Sequence, residues 1–128
     1  MGLKLWRLDM YKILEELNKT AGISGSMIVG QDGIVIAADL NSQLQDEAVG
    51  ALAASILDTV KKSMGRLSNE DLRQITVEAS KGKLFLSDVG LGILAVTTDP
   101  QVNVGMVRLE IKNAAERIKL AQKSVQKD

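Results

Sequence analysis

Two neighbouring runs, Met27-Ile28-Val29 and Ile34-Val35-Ile36-Ala37-Ala38, are apolar at every consecutive position, with Gly30-Gln31-Asp32-Gly33 between them. Successive side chains of a strand point to opposite faces, so runs of this kind need apolar cover both above and below. Two β-rich runs around an Asp-Gly turn read as a β-hairpin. The sheet that contains this hairpin therefore requires helices on both of its faces.

The rest of the chain supplies those helices. From Leu5 to Lys19, the residues Trp6, Met10, Ile13 and Leu17 recur at steps of four, three and four, while Asp9, Lys12, Glu15, Glu16 and Lys19 fill a solvated side. That is one helical stripe, stopped by Thr20-Ala21-Gly22 with Gly22 as its C-cap. A second helix is expected from about Gln45 to Arg66, with Asn41 and Ser42 as N-cap candidates. Its stripe of Val49, Leu52, Ala53, Ile56 and Val60 is expected to lie on the sheet. Rotated about 100° from that stripe runs a second seam, Gly50, Ala54, Leu57, Lys61 and Met64. A helix at the edge of a monomer needs only one stripe, so this seam suits close approach by another helix. The last segment, with Asn103 or a neighbour as cap, places Val107, Ile111, Ala114, Ile118, Ala121 and Val125 on one long amphipathic helix whose tail from Lys123 frays.

Between the second and third helices, past a polar break at Leu67 to Asp71, three more strands are expected. Gln74 to Ala79 alternates polar and apolar, a half-buried strand. Lys83-Leu84-Phe85-Leu86 and Leu91 to Thr97 follow, joined by turns at Ser80-Lys81-Gly82 and Asp88-Val89-Gly90, with Pro100 in the loop beyond. Short turns between consecutive strands make an antiparallel meander. The order is α-ββ-α-βββ-α, an α+β chain of one composition regime, read as a single domain over residues 1–128 with its core at about 5–121.

Composition removes most catalytic chemistry. Neither Cys nor His is present, so thiol nucleophiles, disulfides, Cys-ligated zinc and the commonest general base and metal ligand are absent. Sixteen basic residues balance sixteen acidic ones, which gives no electrostatic footprint for nucleic acid or an anionic membrane surface. The longest nearly apolar stretch, Ala48 to Leu57, is far short of the ~20 residues that span a bilayer. No apolar signal-peptide region accompanies Lys4 and Arg7, so a cytoplasmic location is expected, without membrane insertion. Gly90-Leu91-Gly92 lacks the third glycine of a dinucleotide fingerprint and the chain has no P-loop ending, which leaves turn glycines. The pairs Glu15-Glu16, Asp46-Glu47 and Glu70-Asp71 are adjacent and diverge on a helix, and Asp46 and Glu47 favour a helix N-terminus instead. Arg66, Arg73, Arg108 and Arg117 read as surface arginines, Met10, Met27, Met64 and Met106 as core fillers, and Trp6 as packing the first helix on the sheet. No catalytic, cofactor or metal site emerges, and a non-enzymatic domain is expected.

Several strings in this order carry a resemblance. Ile13-Leu14 with Leu17, Gly22-Ile23-Ser24-Gly25 leading into Met27-Ile28-Val29, and Gln31-Asp32-Gly33-Ile34-Val35-Ile36-Ala37 are followed at the other end by Val104-Gly105-Met106-Val107-Arg108-Leu109-Glu110-Ile111 and Ala114-Ala115-Glu116-Arg117-Ile118. Together they resemble the Roadblock family of dynein light-chain-like domains, particularly its prokaryotic MglB-type branch. The resemblance implies a Roadblock/profilin-like α/β/α sandwich with a five-stranded antiparallel sheet in the order 2-1-5-4-3, the second helix on one face and the other two opposite. It also implies a homodimer in which second helices pack together and third strands pair, and service to a small Ras-like GTPase as activator, exchange assistant or scaffold. The seam Gly50, Ala54, Leu57, Lys61 and Met64, together with the poorly guarded edge Ile75-Thr76-Val77, is then the expected dimer interface, which a charge at Ala54 would dissociate. Two other functions fit the residues: an adaptor that anchors motor or membrane-associated complexes, and a ligand-sensing signalling domain.

Overall fold

The computed structural model describes residues 2–40, 46–67 and 73–126. The chain runs α1 (Gly2–Leu17), β1 (Ile23–Gly30), β2 (Val35–Asp39), α2 (Asp46–Leu67), β3 (Gln74–Ala79), β4 (Gly82–Asp88), β5 (Gly92–Thr98) and α3 (Val104–Gln126). The strands form one five-stranded antiparallel sheet in the order β2-β1-β5-β4-β3. The N-cap candidates Asn41 and Ser42 and the pair Glu70-Asp71 lie outside the described residues.

The doubly apolar strands are covered as their sequence demands. Met27 and Val29 of β1 join Leu86, Ile93 and Ala95 under Ala53 and Leu57 of α2. Ile28 points to the opposite face, where Phe85, Leu94 and Val96 meet Met10, Ile13 and Leu14 of α1 and Val107, Ile111 and Ile118 of α3. Each fully buried side chain of this size contributes about 1.5–3 kcal/mol of transfer free energy. The sheet thus separates two cores, with α2 alone above one and the α1–α3 pair above the other.

Turn chemistry sets the details. The Gly33 N–H donates to the Gly30 carbonyl at 2.9 Å and the Gly30 N–H to the Ile34 carbonyl at 2.8 Å. With Gly33 at φ +88°, this is a type I turn closed by a left-handed glycine, and further along Ile36 is an extra residue on β2, a bulge between the pairs Ile28–Ala37 and Val29–Val35. Ile34, read from sequence as the start of the second strand, consequently falls in the loop and is 67% exposed. Gly22 is also reassigned. α1 already ends at Leu17, and Gly22, at φ +90°, forms the turn that brings the Ile23 N–H to the Thr20 carbonyl at 3.1 Å.

Asn103 caps α3 as expected, its Oδ1 accepting from the Met106 N–H at 3.0 Å. Met106 itself is no core filler: one residue off the Val107–Ile111 stripe, it is 50% exposed. A polar tie not legible in the sequence joins three elements. The fully buried Ser26 donates to Asn18 Oδ1 at 2.7 Å, and Asn18 Nδ2 donates to the Asp39 carbonyl and carboxylate at 2.8 and 2.9 Å. Each buried polar atom named here gains a partner, which removes a desolvation cost of about 1–3 kcal/mol per group.

Candidate interaction surface

α2 is apolar or small around most of its circumference, and the structure decides which side turns inward. Gly50 sits where the helix comes down on the hairpin: a Cβ there would lie 3.2 Å from the Gly33 carbonyl and 3.4 Å from side-chain atoms of Val29 and Val35. Ala53 is buried and Ala54 half-buried beside it, and Leu57 is 1% exposed against the sheet. Further along, Lys61 Nζ pairs with Asp88 Oδ2 at 2.6 Å, and Met64 is half-buried. The seam Gly50, Ala54, Leu57, Lys61 therefore faces the chain's own sheet, a correction to the assignment made from periodicity. Small residues allow a helix to approach a sheet as closely as it approaches another helix, and spacing alone does not distinguish the two.

The stripe expected beneath the helix is correspondingly turned aside. Leu52 is 55% exposed, and Val49, Ile56 and Val60 are half-buried. α2 lies over β1, β2 and β5, and the backbone of Ala51 and the Cβ of Ala54 face Gly33 of the hairpin. The opposite flank, with Leu52 and Ile56, consequently looks over the β4–β3 half of the sheet.

On that half the apolar surface continues. Ile75 pairs with Leu86 and Val77 with Leu84, and directly opposed residues of an antiparallel pair share a face. Ile75 and Leu84 pack partly against the core under α2, and Val77 is 37% exposed. Thr76 points to the other face, where its Oγ1 accepts from Arg108 Nη2 at 3.5 Å. β3 is the terminal strand of the sheet, so its outer backbone groups have no strand neighbour among the described residues. Ile56, Ile75 and Leu84 pack partly against one core, and with the exposed Leu52 and Val77 they leave an apolar shelf on the side of the terminal strand.

The Lys61–Asp88 pair locks the position of α2 above this shelf. Burial by itself raises the Asp88 carboxyl, but hydrogen bonds from Lys61 and the Gly90 N–H, with the charges of Lys61 and Lys119, outweigh it and hold Asp88 below its ordinary value. A carboxyl depressed by folding stabilises the native state above its unfolded pKa and loses that contribution as pH falls through the folded one. Both side chains touch solvent, so Asp88→Asn is expected to cost about 1 kcal/mol at about pH 6. In urea titrations the difference from the parent chain should vanish well below about pH 4.

Among the described residues, no cluster of three His, Cys, Asp or Glu side chains is placed to hold a metal ion, and no helix is long and apolar enough to cross a membrane. What the arrangement offers is surfaces for contact.

Comparison with known proteins agrees with this architecture. The uncharacterized protein MJ1340 of Methanocaldococcus jannaschii is 44% identical over 108 residues, covering 84% of this chain and 95% of its own. Among solved structures, Myxococcus xanthus MglB superposes with a TM-score of 0.87 at 20% identity, over 93% of this chain and 91% of that one. An MglB with a tetrameric arrangement superposes with a TM-score of 0.83 at 18% identity, over 94% and 92%. The profile of the Roadblock/LC7 domain matches residues 10–98, and the chain belongs to the Roadblock/LC7 domain family.

Proposed function

We propose that the chain is a cytoplasmic, homodimeric, non-enzymatic regulator or scaffold for a small Ras-like GTPase. The observation that carries this reading is the shelf formed by Leu52 and Ile56 of α2 with Ile75 and Val77 of β3, half-exposed apolar surface beside an open strand edge in a Roadblock/LC7 domain. A second copy related by a two-fold axis lays its α2 over the β4–β3 half-sheet and pairs its β3 with this one, backbone to backbone through Ile75-Thr76-Val77. Such an interface is self-complementary and removes the exposed edge. The tetrameric MglB arrangement supports self-association as a property that this fold accommodates.

Toward the GTPase, the dimer works by contact with the mobile switch regions. It binds the nucleotide states with different affinity and so shifts their populations, without supplying a reacting group. Isothermal titration of the dimer against a Ras-like GTPase, loaded with GDP or a non-hydrolysable GTP analogue, is expected to show affinities that differ by at least about fivefold. Equal affinities would move the assignment to an adaptor that holds complexes together without reading nucleotide. GTP hydrolysis by the purified chain alone, at an ordinary enzyme rate, would end the non-enzymatic reading.

A further inference from the structure

The zero net charge of the chain is an average over unlike surfaces. α3 carries five basic residues against two acidic ones, a net +3 on one helix. Folding concentrates this charge further. At 100° per residue, Arg108, Lys112, Lys119 and Lys123 fall within about 60° of one another on one exposed flank of the helix. None of the four forms an ion pair among the described residues, where the pairs are Lys61–Asp88, Lys62–Asp58, Lys83–Glu78 and Arg117–Glu16. Beside that flank, over the next arc of the outward surface, stand Leu109 at 56%, Leu120 at 65% and Met106 at 50% exposure. Glu116 is the one acidic residue on this outward arc, and Arg117 borders its far side.

We propose that this outward face of α3 lies against an anionic phospholipid surface as a peripheral contact. A ridge of aliphatic side chains bordered by exposed cations is the pattern of a helix resting at a lipid interface, where the apolar groups enter the headgroup boundary and the lysines meet phosphates. Three of the four clustered cations are lysines, flexible point charges suited to a fluid array of phosphates. A specific acidic protein partner would favour aromatic or free arginine anchors in a desolvated pocket; no aromatic residue lies on α3, and its two arginines are engaged within the chain, Arg108 with Thr76 and Arg117 with Glu16. A nucleic acid would likewise call for a base-stacking platform in place of exposed leucines. The inference stands apart from the GTPase and dimer readings, because each α3 carries the whole surface.

The test is co-sedimentation of the full chain with phosphatidylcholine vesicles, alone or containing about 30% phosphatidylglycerol, at about 50 mM and about 500 mM salt. Binding is expected only with phosphatidylglycerol, and at least tenfold weaker at the higher salt. The double variant Lys112→Glu/Lys123→Glu should lose at least about tenfold in affinity, and Leu120→Ser about threefold, with unchanged circular dichroism. Lys62→Glu, an exposed site on α2, should bind as the parent chain does. Absence of a phosphatidylglycerol preference, or equal losses in Lys62→Glu and the double variant, would overturn the proposal. Displacement of the chain from vesicles by polyglutamate or duplex DNA at equal charge concentration would also overturn it, in favour of that polyanion.

Discussion

Gly92→Ala is expected to destabilise the protein by about 3 kcal/mol or more, seen in urea or thermal unfolding as loss of most of the folded baseline. Gly92 opens β5 in register with Gly30 of β1, and a Cβ at this position would collide with the backbone carbonyl of Val29. A flexible side chain could yield, but this carbonyl belongs to a strand held between β2 and β5. Relief would require parting the β1–β5 pair, on which Met27, Ile28, Val29, Leu94 and Val96 are buried. Gly65→Ala is the matching control. Its added methyl meets nothing within 4 Å, and in a helix the change should stabilise by about 0.5–1 kcal/mol. A Gly92→Ala protein as stable as its parent would mean that β1 and β5 are not paired in this register.

Leu52→Arg is expected to leave the fold intact and convert the proposed dimer to a monomer of 13.8 kDa in sedimentation equilibrium. Leu52 is 55% exposed, so folding loses little, within about 0.5 kcal/mol for a surface substitution. In the proposed dimer the same side chain is desolvated beside the partner, and a guanidinium there is buried without a counter-charge, a cost of several kcal/mol. Ala54→Arg behaves differently. Ala54 is half-buried beside Gly33, so the arginine strains the seat of α2 on the hairpin and lowers stability before it alters association. A Leu52→Arg chain that remains dimeric at low micromolar concentration would remove the α2 flank from the interface.

The contrast between these two residues shows where sequence reasoning reached and where it stopped. α3 was legible because its stripe is unambiguous: Val107, Ile111, Ala114 and Ile118 stand against charged neighbours, and all four are buried. α2 has two apolar stripes, and helical periodicity measures the angle between them without saying which one meets the sheet. That choice rests on Gly50 meeting Gly33, residues 17 positions apart, an encounter set by the β1–β2 hairpin and invisible to any local pattern.

The order α-ββ-α-βββ-α, the need for helices on both faces, the Asn103 cap and the absence of thiol and imidazole chemistry were determined by the sequence itself. Each depends on residue type and on spacing within a turn or two of chain. The rotation of α2, the shelf beside β3, the Ser26–Asn18–Asp39 tie and the lack of ion pairs, among the described residues, for the cations that helical spacing gathers on α3 were decided by tertiary structure alone. The physical reason is common to all four. Burial, charge pairing and hydrogen bonding depend on which distant segments share space, and a net charge of zero or an apolar count has no direction until the chain has folded.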